Sequence, residues 1–372
     1  FLGGGFAYDY LATFEELPEV APGANTYPDF EFLVAQTVLA VDHLQGTAHL
    51  EGWDIDDKRL QEELDSLASL PVAARPTAPQ REKIRAVADV NDAGFRADVD
   101  KLKGNIHAGD IYQVVPARAF TVECPNALAA YRALRETNPS PYMFYVRGAA
   151  YELFGASPES NLKFTPEDGQ IQLYPIAGTR PRGLNPDGSI NHELDIRNEL
   201  EMRTNQKEIA EHTMLVDLAR NDLARVAVPR SRQVAELLHV DRYSRVMHLV
   251  SRVTATLHPD FDALDAYRAC MNMGTLTGAP KLRATELVRC TEGKRRGSYG
   301  GAVGYLRGDG AMDNCIVIRS AYVQDGTAVV QAGAGVVKDS VPQAEADETV
   351  HKAYAVLHAI AMAHGAELEV QR

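Results

Sequence analysis

The chain has 372 residues, 45% hydrophobic and 24% charged, a composition that excludes global disorder and allows a sizeable core. The formal net charge is −13 and no long run of lysine and arginine occurs, which argues against nucleic acid and anionic membrane surfaces as partners. No uncharged apolar run reaches the roughly 18 residues of a membrane-spanning helix.

The N-terminal part of the chain predicts strands, a polar helix and a connector. Residues 1–50 favour strands, with a nearly continuous apolar run in FEFLVAQTVLAVDHL, and a polar helix follows near DDKRLQEELDSLASL. Residues 71–80, PVAARPTAPQ, contain three prolines and predict an exposed connector. The chain opens FLGGGFAYDY, without Met and within an apolar run, so we expect a missing N-terminal segment.

The rest of the chain mixes helices and strands without strict alternation, which disfavours a repeated βαβ array. A helix ending at Gly109 leads into a strand, and Asp-Gly turns at 168–169 and 325–326 predict hairpins. Further helices are predicted over Glu193–Asp217, Ala263–Met271, KLRATELVRC and from Pro342 onward.

Two pairs of glutamates at i, i+3 spacing are the most informative feature: Glu208 with Glu211, and Glu345 with Glu348. Such pairs usually form a solvated helix surface, but these stand at the head of apolar stripes, which predicts partial burial. Because two buried neighbouring acids need a cation or a proton, the pattern predicts a divalent metal site with oxygen ligands.

Other motifs leave alternatives open. The glycine-rich segments lack both nucleotide-binding spacings, although glycines in AGAG or IAGT can hold a carboxylate or simply permit tight packing. Strand alternation would place Arg319 on one face with Cys315 and Val317, paired with an internal acid or a substrate carboxylate. Lys352 fits an i, i+4 pair with Glu348, and His248 fits either a core histidine or a base. The cysteines form no CxxC pair and predict reduced thiols in a cytoplasmic protein.

Ordered blocks along the chain resemble the chorismate-utilising enzymes, and within them the anthranilate synthase component I family. The blocks are GASPES, PIAGTRPRG, DLARNDLARV, DRYSRVMHLVS, NMGTLTGAPK, GSYGGAVGY, CIVIRS and QAGAGVVKDSVPQAEADET. The resemblance implies an α+β fold in which two packed, mostly antiparallel sheets are surrounded by helices, as one chorismate-binding catalytic domain over residues 1–372. It also implies Mg²⁺-dependent formation of anthranilate and pyruvate from chorismate and ammonia, in tryptophan biosynthesis.

The resemblance assigns roles to individual residues. It implies that Glu208, Glu211, Glu345 and Glu348 surround Mg²⁺, and that Gly178, Thr179, Tyr299, Arg319, Gly335 and Lys352 hold the carboxylates of chorismate. Glu159 matches the acid that protonates the departing C4 hydroxyl group. His248 and Thr275 match residues near the ring, with His248 implicated in the loss of pyruvate.

Two positions select the nucleophile. Relatives that add water to chorismate carry a lysine base where this chain has Gln113, and an amide cannot deprotonate water at neutral pH. Many aminodeoxychorismate synthases carry a nucleophilic lysine where this chain has Ala177. The resemblance therefore favours attack by ammonia at C2, with an aminodeoxyisochorismate synthase or another chorismate-utilising enzyme as the alternative. A non-catalytic subunit is disfavoured, because its charged site would be expected to decay and these charged residues remain.

The resemblance also predicts partners and regulation. Because no glutaminase motif occurs, ammonia is expected from a separate glutamine amidotransferase subunit, which implies a hetero-oligomer for the full-length protein. Asn138, Pro141, Tyr142 and Met143, in NPSPYM, match part of a tryptophan effector pocket. The other part belongs to the N-terminal segment that we expect to be missing.

Overall fold

The computed structural model describes residues 1–70, 83–243 and 245–372, so the predicted connector at 71–80 lies outside the described residues. Within these ranges the strands are β1 Leu2–Phe6, β2 Phe30–Val34, β3 Thr37–Asp42, β4 Thr47–Gly52, β5 Lys83–Ala88, β6 Gln113–Val114, β7 Ala117–Glu123, β8 Tyr142–Arg147, β9 Glu152–Ser157, β10 Ser160–Thr165, β11 Gln170–Leu173, β12 Ile176–Pro181, β13 Gln233–Arg242, β14 Val246–Thr256, β15 Gly278–Ala279, β16 Ala302–Leu306, β17 Met312–Ile316, β18 Ser320–Gln324, β19 Thr327–Gly333 and β20 Glu367–Gln371. The α-helices are α1 Asp57–Ser69, α2 Asp92–Ala108, α3 Ala127–Thr137, α4 His192–Thr204, α5 Gln206–Ala224, α6 Ala263–Cys270, α7 Gly274–Thr277, α8 Lys281–Glu292 and α9 Pro342–Ala363, and a 3₁₀ helix spans Tyr8–Thr13.

Two large sheets dominate the fold. A nine-stranded sheet runs in the order β12-β14-β11-β10-β17-β16-β1-β2, with β13 also paired to β14, and a seven-stranded sheet runs β20-β5-β7-β19-β18-β9-β8. Among the pairs of these two sheets, β20 with β5 is parallel and the others are antiparallel. The predicted α+β class with two mostly antiparallel sheets is confirmed.

Apolar clusters join the sheets to each other and to the helices. Leu153 and Tyr322 from the seven-stranded sheet pack with Val303 and Cys315 from the nine-stranded sheet. A second cluster joins α3 and α9 to the seven-stranded sheet, and a third joins α5 and α6 to the nine-stranded sheet. Burial of these apolar faces, at about 25 cal/mol per Å², is the main force that holds helices on sheets.

Several local predictions are confirmed. The polar helix near residue 57 is α1, and α2 ends at Gly109, whose φ of 84° is the left-handed conformation that glycine adopts without steric cost. The Asp-Gly turns connect β10 to β11 and β18 to β19. The prediction of strands throughout residues 1–50 is wrong over the 3₁₀ helix.

The predicted helix over Glu193–Asp217 is two helices. Asn205 interrupts it with φ −71° and ψ 108°, and its side chain accepts hydrogen bonds from the backbone N–H groups of Lys207 and Glu208. An asparagine caps a helix well because its short side chain satisfies N–H groups that have no partner within the helix. The break therefore places Glu208 in the first turn of α5.

Two short connections in the described part of the chain lead directly from one large sheet to the other, and these two crossings run side by side. Strand β9 continues into β10 through Glu159, while β17 continues into β18 through Arg319. The Ile316 N–H donates to the Glu159 carbonyl at 3.0 Å, and the Ala156 N–H donates to the Arg319 carbonyl at 3.1 Å. The predicted strand through Cys315, Val317 and Arg319 is wrong, because Arg319 has φ 49° and lies between strands.

No helix in the described part of the chain is long and apolar enough to cross a membrane. All four cysteines are free, as predicted, and three of them are buried.

A buried ion pair anchors the 3₁₀ helix to the end of α8. Asp9, whose side chain is 3% exposed, accepts from Arg289 at 2.8 Å and from the Gly297 N–H at 2.9 Å. Gly297 lies two residues before Tyr299, so this contact also supports the loop that carries Tyr299.

We predict that Asp9→Ala lowers the free energy of unfolding in urea by about 3–5 kcal/mol, because it leaves the guanidinium of Arg289 buried without its partner. The matched control is Asp217→Ala, which removes an ion pair to Arg220 from a carboxylate that is 61% exposed. That control should cost less than about 1 kcal/mol. Equal losses in the two variants would contradict the anchoring role of Asp9.

Candidate active site

A cavity of about 590 Å³ opens between the two large sheets and the helices α5, α7 and α9. Fourteen residues that the sequence predicts for catalysis, substrate binding or metal binding all line it: Gln113, Glu159, Gly178, Thr179, Glu208, Glu211, His248, Thr275, Tyr299, Arg319, Gly335, Glu345, Glu348 and Lys352. They come from strands, helices and crossings that are distant in sequence. The structure therefore brings the whole predicted set to one place.

Glu159 is a buried acid in the wall of the cavity. Its side chain is buried and accepts a hydrogen bond from the Thr275 hydroxyl at 3.1 Å. Burial raises the pKa of Glu159 from 4.5 to about 8, against the opposing effects of Thr275, Lys352 and Arg319. The carboxyl group is therefore mostly protonated at neutral pH.

Arg319 presents a cation to the cavity. Its guanidinium makes no salt bridge with a carboxylate among the described residues, although Glu159 and Glu348 lie close enough to influence it. Burial lowers the pKa of Arg319, since a charged group in an enclosed site lacks the solvation of water. A bound anion would supply the missing partner.

His248 lies on β14 opposite Thr179 of β12. The ring nitrogen Nδ1 of His248 is 2.9 Å from the Thr179 hydroxyl oxygen, which fixes the orientation of the imidazole. Burial, with a smaller contribution from the charge of Arg319, lowers the pKa of His248 to about 4. The imidazole is therefore neutral at physiological pH.

The two glutamate pairs face the same cavity from α5 and α9. An oxygen of Glu208 lies 2.6 Å from the Arg180 guanidinium, and Glu348 lies 2.5 Å from the ammonium of Lys352, which also donates to the Gly333 carbonyl at 3.0 Å. The i, i+4 pair predicted for Lys352 is thus present, and the helical predictions for both acidic pairs are confirmed. No group of three metal-ligating side chains converges within the described ranges.

These acids nonetheless fit a hard divalent cation. The Oε2 atom of Glu208 is buried without a hydrogen-bond partner among the described residues. Burial raises the pKa of Glu211 and of Glu345, and the charge of Glu348 raises both further. An all-carboxylate donor set of this kind suits Mg²⁺, which prefers oxygen ligands and would relieve the mutual repulsion.

Sequence reasoning missed three polar residues of the cavity: Arg180, Asn205 and Lys207. Arg180 follows Thr179 directly in the PIAGTRPRG block, and Lys207 precedes Glu208 in the first turn of α5. Their position next to predicted site residues was the sequence signal that could have identified these two side chains. A basic residue beside a carboxylate, however, suggests an ordinary surface ion pair until the fold is known.

A smaller cavity of about 120 Å³ adjoins the main one. Asn138 and Pro141 line it, together with Thr179, His248 and Arg319, which also line the main cavity. Two further residues of the predicted effector segment make other contacts: the Tyr142 hydroxyl donates to Asp313 at 3.0 Å, and the Met143 sulfur accepts from the Ser140 N–H at 3.4 Å.

Comparison with known proteins gives concordant results. Residues 2–358 match the family model described as chorismate binding enzyme. The chain is 56% identical over 372 residues to anthranilate synthase component 1 of Vibrio parahaemolyticus, covering 98% of this chain and 68% of that protein. It is 54% identical over 374 residues to anthranilate synthase component 1 of Escherichia coli, covering 99% and 72%. The crystal structure of anthranilate synthase component I from Streptococcus pneumoniae aligns with a TM-score of 0.86 and 32% identity, over 95% of this chain and 80% of that one.

The buried acid generates a prediction about stability and pH. Because the folded protein holds the Glu159 pKa near 8, above the ordinary 4.5, the stability that this group contributes is full below pH 4.5 and falls as the pH rises to about 8. Glu159→Gln should remove this decline. The Tm of the variant should therefore rise relative to the Tm of the wild type as the pH increases from 5 to 8. The exposed control Glu193→Gln should follow the wild-type profile. A constant Tm difference between Glu159→Gln and wild type would contradict burial of an ionisable acid at residue 159.

Proposed function

We infer, from the premise that this chain belongs to the chorismate-binding enzyme family, that it is the synthase component of an anthranilate synthase acting in tryptophan biosynthesis. The enzyme is a lyase that uses chorismate. Chorismate and ammonia give anthranilate, pyruvate and water. The observation that carries the chemistry is a largely protonated buried acid, Glu159, in a cavity that also holds four other glutamates. Beside it lies Arg319, which forms no salt bridge with a carboxylate in the described part of the chain.

We propose that cations and backbone donors of the cavity hold the two carboxylates of chorismate. Arg319 offers a planar guanidinium suited to a bidentate carboxylate contact, and Lys352 offers a point charge. Gly178 has φ 97°, and a Cβ atom there would lie 3.0 Å from Oε2 of Glu208, so a side chain would crowd the acidic wall. Thr179, Tyr299 and Gly335 complete the proposed carboxylate contacts.

We propose that Glu208, Glu211, Glu345 and Glu348 hold Mg²⁺ together with the ring carboxylate of the substrate. The bound cation would offset the repulsion between these acids and the substrate dianion. Arg180 and Lys352, which now pair with Glu208 and Glu348, balance part of the same negative charge.

Glu159 is the proposed general acid. Hydroxide is a poor leaving group, so the C4 oxygen needs a proton as its bond to the ring breaks. A pKa of about 8 keeps that proton on Glu159 at neutral pH, and the Thr275 hydroxyl orients the carboxyl group. Ammonia attacks C2 as the C4 oxygen leaves as water, which gives aminodeoxyisochorismate.

His248 is the proposed base of the second step, in which the C2 proton is removed, pyruvate leaves and the ring becomes aromatic. A neutral imidazole can accept this proton. Because the charge of Arg319 contributes to the low pKa of His248, a substrate carboxylate on Arg319 would raise that pKa and strengthen the base.

The choice of ammonia over water rests on Gln113. Its side chain is buried, lines the cavity and donates to Glu211 at 3.2 Å, so an amide occupies the place of a lysine base. Ala177 likewise offers no nucleophile. A second candidate, release of aminodeoxyisochorismate as the final product, requires His248 to be inactive.

We further propose one catalytic unit over residues 1–372 that works in the cytoplasm with a separate glutamine amidotransferase subunit as its ammonia source. The component 1 name of the relatives supports such a partner. We propose that Asn138, Pro141, Tyr142 and Met143 contribute to a tryptophan pocket. The adjoining cavity, which shares Arg319 and His248 with the active site, supports communication between the two.

The metal proposal predicts the effect of Glu345→Gln. Loss of one carboxylate ligand should raise the Mg²⁺ concentration for half-maximal activity at least about tenfold and reduce turnover strongly. The control is Asp347→Asn on the same helical turn, because Asp347 pairs with Arg372 outside the cavity and should keep the wild-type Mg²⁺ dependence. A Glu345→Gln enzyme with the wild-type dependence would remove Glu345 from the metal site.

The nucleophile proposal predicts the product. The purified chain, given chorismate, Mg²⁺ and an ammonium salt, should form fluorescent anthranilate, and with glutamine it should do so only after a glutaminase subunit is added. Anthranilate formation from glutamine by the chain alone would contradict the partner proposal. Isochorismate formed in ammonia-free buffer would overturn the assignment of ammonia as nucleophile.

A further inference from the structure

His212 is a buried histidine that the proposed mechanism does not use. It follows Glu211 on α5, is 0% exposed and does not line the cavity. Its two ring nitrogens make contacts with two different strands of the nine-stranded sheet. His212 therefore connects the acidic helix to the sheet that carries Gly178 and Thr179.

The contacts define a directed chain of hydrogen bonds. Nδ1 of His212 lies 3.0 Å from the Ala177 carbonyl, which can only accept, so Nδ1 carries the proton. Nε2 lies 2.7 Å from the hydroxyl of Ser251, and that hydroxyl accepts from the Leu238 N–H at 2.9 Å. Ser251 then donates to Nε2, and each polar atom in the chain has a partner.

These hydrogen bonds lie at two neighbouring β-bulges of the nine-stranded sheet. Between β12 and β14 the register shifts so that Ala177 and Gly178 face the single residue Leu249. Between β13 and β14 it shifts again, and Leu237 and Leu238 face Ser251. Bulges leave backbone groups outside the regular ladder, and here Ser251 and His212 satisfy them.

The bulge at Ala177 and Gly178 positions the proposed substrate contacts. Thr179, the next residue, holds His248, while a Cβ atom at Gly178 would lie 3.0 Å from the Glu208 carboxylate. A shift of this bulge relative to α5 would therefore change the distance between the Gly178–Thr179 backbone, which we propose binds a substrate carboxylate, and the Glu208–Glu211 pair.

We propose that His212, supported by Ser251, is a positioning residue that sets the spacing between the Gly178–Thr179 backbone and the Glu208–Glu211 face, and thereby the affinity for chorismate. This inference rests on the proposed function, in which the two groups bind adjoining parts of the substrate site. It adds to that proposal the contact that sets the distance between these two groups.

The test compares two substitutions at His212 with a matched control. His212→Leu removes both hydrogen bonds while filling similar space, whereas His212→Asn retains an N–H donor near the Ala177 carbonyl. His364→Leu removes another buried histidine, which lies at the end of α9 outside the cavity; within the described ranges its hydrogen-bond partner is the Ile360 carbonyl, which Nδ1 contacts. Chorismate binding is measured by calorimetry with Mg²⁺ in ammonia-free buffer, and KM and kcat are measured with an ammonium salt.

We expect His212→Leu to weaken chorismate binding and raise KM about tenfold, a loss typical of a broken buried hydrogen bond, with a smaller change in kcat. His212→Asn should restore affinity to within about threefold of wild type. His364→Leu should keep the wild-type KM even if its Tm falls. Ser251→Ala, which acts on His212 from the other side, should raise KM about threefold and serves as the second variant if His212→Leu does not fold.

The outcomes separate this inference from the proposed function. A wild-type chain that binds chorismate but forms no anthranilate would contradict the proposed function. The binding measurements on the His212 variants would still test the role of His212 in setting the spacing. A folded His212→Leu with wild-type chorismate affinity would overturn the inference alone. Equal losses in His212→Leu, His212→Asn and His364→Leu would also overturn it, because they would show only the cost of disturbing a core histidine.

Discussion

The paired crossing of the chain between the two sheets is the constraint on which the site depends. Glu159 and Arg319 lie on the two crossings, and backbone hydrogen bonds from Ile316 and Ala156 hold the crossings side by side. At these crossings the backbone passes from the hydrogen-bond ladder of one large sheet to that of the other. Side chains there can therefore point into the space between the sheets. Backbone geometry thereby fixes the carboxyl group of Glu159 near the guanidinium of Arg319, the two groups that we propose as proton donor and carboxylate-binding cation.

The second organising feature is the balance of charge in the cavity. Five glutamates and the cations of Arg180, Lys207, Arg319 and Lys352 share one partly enclosed space, where an isolated charge would be costly. In this structure Arg180 and Lys352 hold Glu208 and Glu348, while Glu159 avoids the cost by remaining protonated. In the function that we propose, a dianionic substrate bound with a divalent cation would add no net charge and would exchange these internal contacts for new ones.

Local sequence signals predicted the elements well wherever the cause was local. The Gly109 stop and the Asp-Gly hairpins follow from backbone preferences of single residues, and the structure has both. The prediction failed at Asn205, where a cap divides a long helical pattern, and at Arg319, where an apolar run leaves one sheet for the other. An apolar run reports burial, but it does not report which sheet buries it.

The sequence by itself determined the chemical inventory: the spacing of the two acidic pairs, the amide at Gln113 and the ordered blocks that mark the family. These properties depend only on residue identity and on short-range spacing. Tertiary structure alone decided that fourteen residues from separate elements line one cavity, that burial keeps Glu159 protonated, and that His212 joins α5 to the Ala177 bulge. Desolvation and contacts between distant segments arise only when the chain packs, so no local pattern encodes them.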